Sequence, residues 1–406
     1  MKSAEKLFYS DPETLVFSAV ATDCRPAVPD KTDKSERYEV TLDRTAFFPE
    51  AGGQCSDVGY IGEAKVLSAA EAEGEIIHIT DRPVDTGKPQ SCSVDPSVRI
   101  RNMQDHGGEH LISGAVKALF GFDNVGFHLG SDTVTADYNG KLGREELYRV
   151  EDLANELVFA DAPIKAWFPS TNELAETEYR AKNEIDCDVR LVKMGDLDIC
   201  ACCAPHFTSC GKIGIIRITE FEAYKGGTRV YIKCGKDALL DYREREQSVK
   251  NISALLSVKR GETDSAVKEL YDNYNNALRE IGTLKDDLLM LKTEKCERSN
   301  GISFYRHSAP DMTELQTAAD ILSKKSELFG VAAADNNGGC VFSVISSDYD
   351  LTVLSESLKS KLKAGCGGRK NIVSGKAPVS TDELKSFFLA FRDDMIYNKS
   401  DIDIRR

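Results

Sequence analysis

The sequence DPSVRIRNMQDHGGEHLI, residues 95–112, predicts the start of a long helix. Asp95 is a residue type that caps helix N-termini, and Pro96 suits the first helical position because an N–H there would have no helical partner. We predict that the helix spans residues 96–119. It separates a segment rich in strand signals from a segment in which helices and strands mix.

The segment before this helix has the pattern of a small β-barrel. Short runs such as YEVTL (38–42) and EIIHI (75–79) are bounded by Pro, Gly and Asp clusters, and no helix-length pattern competes with them. We therefore predict a barrel over residues 1–92. Residues 93–235 add a second helix at 150–159 and strand-like runs such as 213–218, which indicates a mixed α/β domain.

Residues 236–297 have a different composition, without Pro and rich in Leu, Lys, Glu and Asp. Gly261 interrupts the helical pattern, and Thr263 or Ser265 could cap a second helix, so we predict a helical hairpin. A helix that simply packs on a core would explain the same periodicity. Apolar residues in the second half alternate in steps of three and four, as in a coiled coil: Val267, Leu270, Tyr274, Ala277, Ile281, Leu284, Leu288 and Leu291.

Residues 298–406 predict a C-terminal α/β domain. A strand at 331–334, a turn at 336–339 and a partner strand at 340–345 form a hairpin, and helices are expected at 352–363 and 382–395. The fold class is therefore α+β. It combines an N-terminal small β-barrel, an α/β domain, a helical hairpin linker and a C-terminal α/β domain.

Composition limits the class of protein. The chain has 406 residues, a net charge of −14 and no apolar stretch near the roughly 18 residues that cross a bilayer, so we expect no membrane span. The charged start, with Lys2, Glu5 and Lys6, predicts no secretory signal and hence a cytoplasmic protein. In that compartment most of the twelve cysteines are expected to be reduced, and a subset could bind metal.

Two pairs of residues have the spacing of metal ligands. His106 and His110 lie four residues apart, which places both imidazoles on one helix face. Cys202 and His206 repeat that spacing near Pro205. Together they predict one zinc ion per chain, held by three His and one Cys. Cys203, Cys200 and Cys210 crowd the same turn and are rivals for the thiol ligand.

The remaining histidines have no partner at ligand spacing. His78, His128 and His307 are each expected at the surface or as satisfied core residues, with His128 on a strand.

A glycine-containing loop completes the pattern. In TAFFPEAGGQ (45–54) the paired glycines permit close backbone approach, while Thr45 and Gln54 offer side-chain hydrogen bonds. Taken alone, the loop could equally be a tight barrel turn. This loop and the two ligand pairs resemble the editing domain of alanyl-tRNA synthetases and of their free-standing relatives, the AlaX proteins. The segment GTRVY (227–231) resembles that family's barrel-closing strand.

The sequence departs from the family pattern at a few positions. Phe48 replaces Tyr and Ala51 replaces the first Gly of Thr-x-Phe-Tyr-Pro-Glu-Gly-Gly-Gly-Gln. The pair Gly107 and Gly108 lies between the zinc histidines, where each glycine weakens a helix by roughly 1 kcal/mol. The family's Cys-Gly-Gly-Thr-His reads CCAPH at 202–206, which leaves open whether Cys202 or Cys203 is the ligand.

The resemblance covers essentially the whole chain and implies a long-form AlaX protein. It implies a zinc-dependent hydrolase that removes serine, glycine or both from mischarged tRNA(Ala). It also implies that Thr45 meets the serine hydroxyl and Gln54 helps to orient water, with zinc either activating water or positioning substrate. The chain starts at the editing barrel, so no aminoacylation domain is expected. A homodimer, if one forms, is expected to use the helical or C-terminal region.

Two other classes of function fit part of the pattern. The run His106-x-x-Glu109-His110 also matches the H-x-x-E-H signature of a metalloprotease family, in which Glu109 would be the general base. That interpretation leaves Cys202 and His206 without a role. The second alternative is a non-catalytic module that binds tRNA or a synthetase and holds a structural zinc.

A basic segment lies in the C-terminal domain. Residues 357–381 contain six basic and no acidic residues, against the −14 of the chain. Its centre resembles the glycine-rich tRNA-binding motif of the synthetase C-terminal domain. We expect a loop in which Gly367 and Gly368 permit close approach while Arg369 and Lys370 contact tRNA phosphates. A solvated loop with scattered lysines is the alternative.

Overall fold

A computed structural model describes residues 4–28, 35–130, 133–181, 189–390 and 397–398. The chain forms two compact units, residues 1–252 and 253–406. Among the helices of the described ranges, none combines the length and apolar character needed to cross a membrane.

The first unit begins with a closed barrel, which confirms the sequence prediction. Six strands close it in the order β2-β3-β7-β6-β5-β8. Alternation of buried and less buried residues along β7 points Ile76, His78 and Thr80 inward. The elements here are β1 (Glu5–Lys6), α1 (Leu7–Ser10), β2 (Val16–Pro26), β3 (Tyr38–Leu42), β4 (Arg44–Thr45), β5 (Gly59–Ile61), β6 (Ala64–Ala72), β7 (Glu75–Thr80) and β8 (Pro89–Val94).

The long helix α2 (Pro96–Phe120) follows the barrel as predicted. The Asp95 carboxylate accepts a hydrogen bond of 2.8 Å from the Ser97 amide, and Pro96 takes the first position. The helix then packs closely against its neighbours at the glycine pair. A Cβ at Gly108 would collide with the Cys234 Sγ, so only glycine fits there. The two glycines thus weaken the helix, but Gly108 allows it to approach the strand that carries Cys234, and Gly107 allows it to approach Ile213.

The rest of the first unit combines helices with two sheets. Their strand orders are β14-β15-β10-β9 and β11-β12-β13. The elements are β9 (Asn124–Leu129), β10 (Val134–Tyr138), α3 (Arg144–Phe159), β11 (Ile164–Trp167), α4 (Thr171–Glu176), β12 (Leu191–Met194), β13 (Asp198–Ala201), a 3-10 turn (Cys210–Ile213), β14 (Ile216–Tyr224), β15 (Gly227–Cys234) and α5 (Gly235–Leu256).

Three sequence predictions in this region need correction. The α3 helix begins at Arg144 rather than residue 150, because the Glu146 carboxylate accepts from the Gly143 amide and supports an earlier start. The strand expected at 213–218 begins only at Ile216, after the 3-10 turn. The segment 227–231 does not close the barrel, since β15 pairs with β14 and β10 in the four-stranded sheet.

The boundary between the two units, at residues 252 and 253, lies inside helix α5. The two helices predicted for 236–297 are present as α5 and α6 (Thr263–Thr293), joined through a 3-10 turn at Arg260–Glu262. Neither Thr263 nor Ser265 is the N-cap, because Glu262 occupies that position without a capping side-chain bond. Leu289 of α6 packs with the unit core, whereas most heptad positions are exposed. The coiled coil therefore stays a prediction.

A six-stranded sheet, β16-β17-β18-β19-β22-β21, forms the rest of the second unit. The predicted hairpin is present, with β18 and β19 joined through Asn337 and Gly338. The elements are β16 (Glu297–Ser299), β17 (Ile302–Arg306), α7 (Met312–Ser323), β18 (Phe329–Asn336), β19 (Gly339–Ile345), β20 (Tyr349–Asp350), α8 (Thr352–Leu362), β21 (Gly365–Arg369), β22 (Ile372–Ala377), α9 (Thr381–Leu389) and β23 (Tyr397–Asn398).

Two further expectations are wrong in detail. The basic segment 357–381 is not a loop, because Gly365, Gly367 and Gly368 lie in β21, the edge strand that pairs with β22. The helix expected at 382–395 ends at Leu389, and residues 391–396 lie outside the described residues.

Candidate metal centre and active site

Four side chains from two remote segments meet in the first unit. His106 and His110 lie on one face of α2, while Cys202 and His206 lie in the turn after β13. One nitrogen of each histidine and the Cys202 sulfur all lie within 4.8 Å of one another. The three histidines are at most 3% exposed. The structure therefore brings together the four residues that the sequence predicts as ligands.

The distances suit a tetrahedral zinc ion. The Cys202 Sγ lies 3.3 Å from Nε2 of His206 and 3.6 Å from Nε2 of His106. Tetrahedral bonds of about 2.3 Å to sulfur and about 2.1 Å to nitrogen would place such atoms about 3.6 Å apart. These residues could hold zinc with small adjustments.

The outer nitrogens of two histidines have partners that orient the rings. The His106 Nδ1 lies 2.9 Å from the Gln54 Oε1, and the His110 Nδ1 lies 3.3 Å from the Asp198 carboxylate. An oxygen acceptor at Nδ1 requires a proton there, which leaves Nε2 bare for a metal. Both rings thus have the tautomer that a metal site needs.

Asp198 is itself held in place. Arg180 donates two hydrogen bonds of 2.7 Å to its carboxylate. Burial would raise the pKa of Asp198, but the bonds from Arg180 and His110 outweigh burial and keep the pKa at about 2. The carboxylate therefore stays ionised and is a strong acceptor for His110.

In the absence of a metal, the protein environment disfavours the charged forms of the other two ligands, Cys202 and His206. Burial, then the thiols of Cys203 and Cys200, raises the pKa of Cys202 well above its ordinary value. Burial, then His110 and His106, lowers the pKa of His206 well below its ordinary value. A neutral imidazole is the form that binds a metal, whereas the thiol must lose its proton, which a bound cation promotes.

Cys202, not Cys203, supplies the sulfur of the four-residue cluster. The Cys203 Sγ instead faces the glycine loop, where it lies 3.5 Å from the position that a Cβ on Gly52 would take. Arg190 donates to the carbonyls of Cys202 and Ala204, at 3.0 and 2.8 Å, and so holds the turn in shape.

The glycine pair forms a two-residue turn that presents Gln54. Gly52 and Gly53 have φ of +63° and +81°, and the backbones of Ala51 and Gln54 exchange two hydrogen bonds across them. This left-handed pair favours glycine, whereas Ala51 lies outside that region of φ and tolerates a side chain. The departure at Ala51 is therefore compatible with the same turn.

The Gln54 amide nitrogen is an unused donor. Its oxygen accepts from His106, while Nε2 is buried and has no hydrogen-bond partner in the described part of the chain. A buried donor without a partner is costly, and such groups often mark places where a ligand binds.

A buried ion pair attaches the loop to α2. The Arg99 guanidinium and the Asp57 carboxylate form a salt bridge with both side chains fully buried. Asp57 also accepts from the Phe48 amide at 2.7 Å, and Arg99 donates to the Ala46 carbonyl. The sequence gives no signal for this pair, because the partners lie far apart along the chain.

Thr45 lies in the same loop as Gln54, but its hydroxyl contacts a histidine of the barrel rather than a residue of the candidate metal centre. Its hydroxyl is 2.9 Å from the His78 Nε2 inside the barrel. The structure thus shows His78 as a satisfied core histidine, one of the two outcomes expected for it.

Glu109 faces away from the cluster of ligands. Its carboxylate accepts from the Ser113 hydroxyl at 2.6 Å and from the Asn124 amide at 2.5 Å, and Ser113 also contacts the Tyr138 hydroxyl. These contacts give Glu109 a structural role in the interior.

The other expected residues lie away from this centre. His128 is exposed on β9, as predicted, and His307 is buried with its Nε2 3.0 Å from the Glu314 carboxylate. Arg369 ends the edge strand β21, and Lys370 follows it with its Nζ 3.7 Å from Asp350.

Comparison with known proteins identifies the class of domain first. Residues 189–231, which include Cys202 and His206, match the second additional domain of threonyl- and alanyl-tRNA synthetases. The alanine–tRNA ligases of Archaeoglobus fulgidus and Natronomonas pharaonis are each 26% identical, over 96% and 85% of this chain. The chain spans only 44% and 38% of those ligases.

A free-standing protein matches from end to end. The alanyl-tRNA editing protein AlaX-L of Pyrococcus horikoshii is 25% identical over 403 residues, which are 94% of this chain and 96% of that protein. Over nearly its whole length, the chain is therefore similar to the long-form AlaX proteins.

Proposed function

We propose that this protein is a trans-editing hydrolase that deacylates tRNA(Ala) mischarged with serine, glycine or both. The observation that carries the proposal is the buried meeting of His106, His110, Cys202 and His206 beside the unused donor of Gln54. The end-to-end similarity to a protein named for alanyl-tRNA editing supports the same substrate class.

The physical need for such an enzyme follows from the size of alanine. A synthetase pocket that accepts alanine discriminates against a substrate differing by one small group by only roughly 10–200-fold. A second, hydrolytic site makes up the difference. Water attacks the ester carbonyl, the bond to the terminal ribose breaks, and free amino acid and tRNA leave.

The proposed roles start with the metal. His106, His110, Cys202 and His206 would hold one zinc ion, which when bound would either lower the pKa of the attacking water or position the terminal ribose. His106 would fix the Gln54 amide so that its N–H groups face the reacting ester. There they would donate to water or to the carbonyl oxygen as negative charge develops. Thr45 would contact the side chain of the amino acid.

The decisive experiment compares deacylation of Ser-tRNA(Ala), Gly-tRNA(Ala) and correctly charged Ala-tRNA(Ala) by the purified protein. We expect hydrolysis of at least one mischarged substrate and sparing of Ala-tRNA(Ala). Cys202→Ser should lose both zinc and activity, whereas Cys203→Ser is the matched control and should keep both. An active protein that contains no metal would contradict the zinc assignment.

The alternatives make different predictions. A non-catalytic module with structural zinc would bind tRNA but leave all three esters intact. A metalloprotease would depend on Glu109, whose carboxylate is taken by Ser113 and Asn124. These two hydrogen bonds disfavour the metalloprotease alternative, because they hold the Glu109 carboxylate in a structural role.

The C-terminal unit is proposed to bind the body of the tRNA. Arg369 and Lys370 lie at the end of an exposed edge strand, where their charges can reach phosphates. A homodimer through the helical or C-terminal region stays a prediction that light scattering can check.

A further inference from the structure

A cavity of about 520 Å³ lies in the second unit, at one edge of the six-stranded sheet. It opens where β16 separates from β17, because their first pair is Glu297 with Phe304, which leaves Tyr305 and Arg306 beyond the edge strand. The end of α6 and the first turns of α9 complete the wall. The volume suits a small molecule. Since β16 and β21 are opposite edges of the sheet, this cavity is separate from the glycine-containing strand β21.

Four charged residues around the cavity pair with one another. Lys385 of α9 forms a salt bridge with Glu297 of β16. Arg306 of β17 lies 3.4 Å from the Asp382 carboxylate and also forms a salt bridge with Asp335, which lies outside the cavity wall. The four lining residues therefore have no net charge, and together they neither attract nor repel an anion strongly.

Two lysines supply the charge that remains. Lys292 lies in the last turn of α6 and Lys295 just after it, and both are exposed and line the cavity. Within the described part of the chain, neither ammonium group has a carboxylate partner. Two such charges on one wall complement a phosphate monoester, which carries about −1.5 to −2 charges at pH 7. The net charge of −14 makes this local excess of positive charge unusual in the chain.

The cavity also has an apolar part. Leu291 is 62% exposed there, and Phe304 and Tyr305 contribute aromatic rings. Tyr305 packs against the core cluster that contains Leu289, which holds its ring in place while part of the side chain stays accessible. A ligand that fits both parts combines a phosphate with a flat ring, and this is the chemistry of a nucleotide.

We propose that this cavity binds a nucleotide, with Lys292 and Lys295 holding its phosphate and with Tyr305 and Leu291 contacting its base. The inference goes beyond the proposed editing function, because no residue of the candidate metal centre takes part in it. A free mononucleotide and the terminal nucleotide of a 5′-phosphorylated RNA offer the same chemistry. The experiment distinguishes these two sources.

A role in helix stability alone makes a different prediction. Lysines near the C-terminal end of a helix also stabilise it through the helix dipole. If this were the only role of Lys292 and Lys295, their replacement would lower the melting temperature and leave nucleotide affinity unchanged. If they hold a phosphate, nucleotide affinity falls.

The experiment measures binding of inosine monophosphate to the full chain by calorimetry at low salt. This nucleotide is chosen because AMP resembles the terminal adenosine of the proposed editing substrate. We expect one inosine monophosphate per chain, and inosine should bind at least about tenfold more weakly because it lacks the phosphate. Lys292→Gln/Lys295→Gln should weaken binding of the nucleotide about 100-fold, since each charged hydrogen bond contributes about tenfold or more.

A third variant tests the contact with the base. Tyr305→Leu keeps an apolar side chain but removes the aromatic ring. It should weaken binding of inosine monophosphate about tenfold and leave binding of inorganic phosphate unchanged.

Two double variants are matched controls. Lys324→Gln/Lys325→Gln removes the same charge at the end of α7, and Arg369→Ala/Lys370→Ala removes the basic pair at the opposite sheet edge. None of these four residues lines the cavity, so both variants should bind inosine monophosphate as the parent does.

A 5′-phosphorylated RNA trinucleotide identifies the source of the ligand. Binding at least about tenfold tighter than that of inosine monophosphate would support an RNA end. Equal or weaker binding would support a free nucleotide.

Four results would overturn the inference: no saturable binding of inosine monophosphate, equal affinity for inosine, displacement by citrate as effective as by inorganic phosphate, or equal affinities in the Lys292/Lys295 and Lys324/Lys325 variants. None of them bears on the editing function, which ester hydrolysis by the same protein samples tests separately.

Discussion

The Nδ1 atom of His106 lies 2.9 Å from the Oε1 atom of Gln54, so a ligand histidine of α2 and the glycine turn share one hydrogen bond. The bond orients both groups at once. It requires a proton on Nδ1 of His106, and it turns the amide nitrogen of Gln54 away from His106.

This contact predicts different outcomes for two changes at Gln54. Gln54→Glu keeps an oxygen for His106 but removes the N–H donor, so we expect kcat to fall about 100-fold with zinc content unchanged. Gln54→Ala removes both groups and should also weaken zinc binding about tenfold or more. Single-turnover deacylation and metal analysis check this. Full activity in Gln54→Glu would exclude the donor role.

Asp198 is expected to control metal affinity through His110. Asp198→Asn weakens the acceptor for the His110 Nδ1 and breaks the paired contact with Arg180, so zinc affinity should fall about 10–100-fold. Competition with a chelator measures the change. Asp196→Asn is the matched control, because Asp196 is exposed and pairs only with Lys193 among the contacts described. Equal affinities in both variants would contradict the assignment.

Glu109 distinguishes the editing enzyme from a metalloprotease. Glu109→Gln keeps an acceptor for Ser113 and Asn124, so we expect a stability loss of about 1–3 kcal/mol and little change in deacylation. Loss of a general base would instead cost about 10²–10⁴-fold. Deacylation and casein hydrolysis, measured side by side with urea unfolding, separate these outcomes.

His78 should make stability depend on pH. Its pKa is about 4 in the folded protein, below the ordinary value of 6.5, so the unfolded state takes up a proton first as the pH falls. Between pH 7.5 and pH 5 the parent should therefore lose about 2 kcal/mol that a His78→Asn variant does not lose. Urea unfolding at both pH values tests this. Parallel losses in parent and variant would show that His78 is protonated in the folded protein.

The edge strand of the C-terminal unit should contribute to tRNA affinity. Arg369→Ala with Lys370→Ala should weaken tRNA binding and lower the salt dependence by about 0.9 per lost phosphate contact. Lys324→Ala with Lys325→Ala, at the end of α7, is a control of equal charge. Filter binding over a range of salt concentrations gives the slope. Identical slopes for both double variants would show that β21 is not the anchor.

The sequence predicts those structural features that depend on residues close together along the chain. Asp95 and Pro96 give the start of α2 because capping acts within one turn, and spacing brings His106 and His110 to one face. Asp198 and Asp57 could not be found, because each matters through a partner far along the chain.

Glycine residues occur in different kinds of local structure in this chain. At Gly52 and Gly53 it indicates a turn, as expected, because φ is positive. At Gly365 and Gly367 it lies in an edge strand, where short-range patterns favour a loop but pairing with β22 decides the structure. Such pairing depends on a whole sheet, which single-sequence patterns do not contain.

The close approach of Gly108 to Cys234 also bears on how the first unit opens. Since the sulfur occupies the place of a side chain on α2, the helix has no room to shift along β15 without separating from it. We therefore expect His106 and His110 to belong to the same cooperative opening unit as the four-stranded sheet. Local fluctuation elsewhere in the chain should then leave the geometry of these two histidines intact until the sheet itself opens.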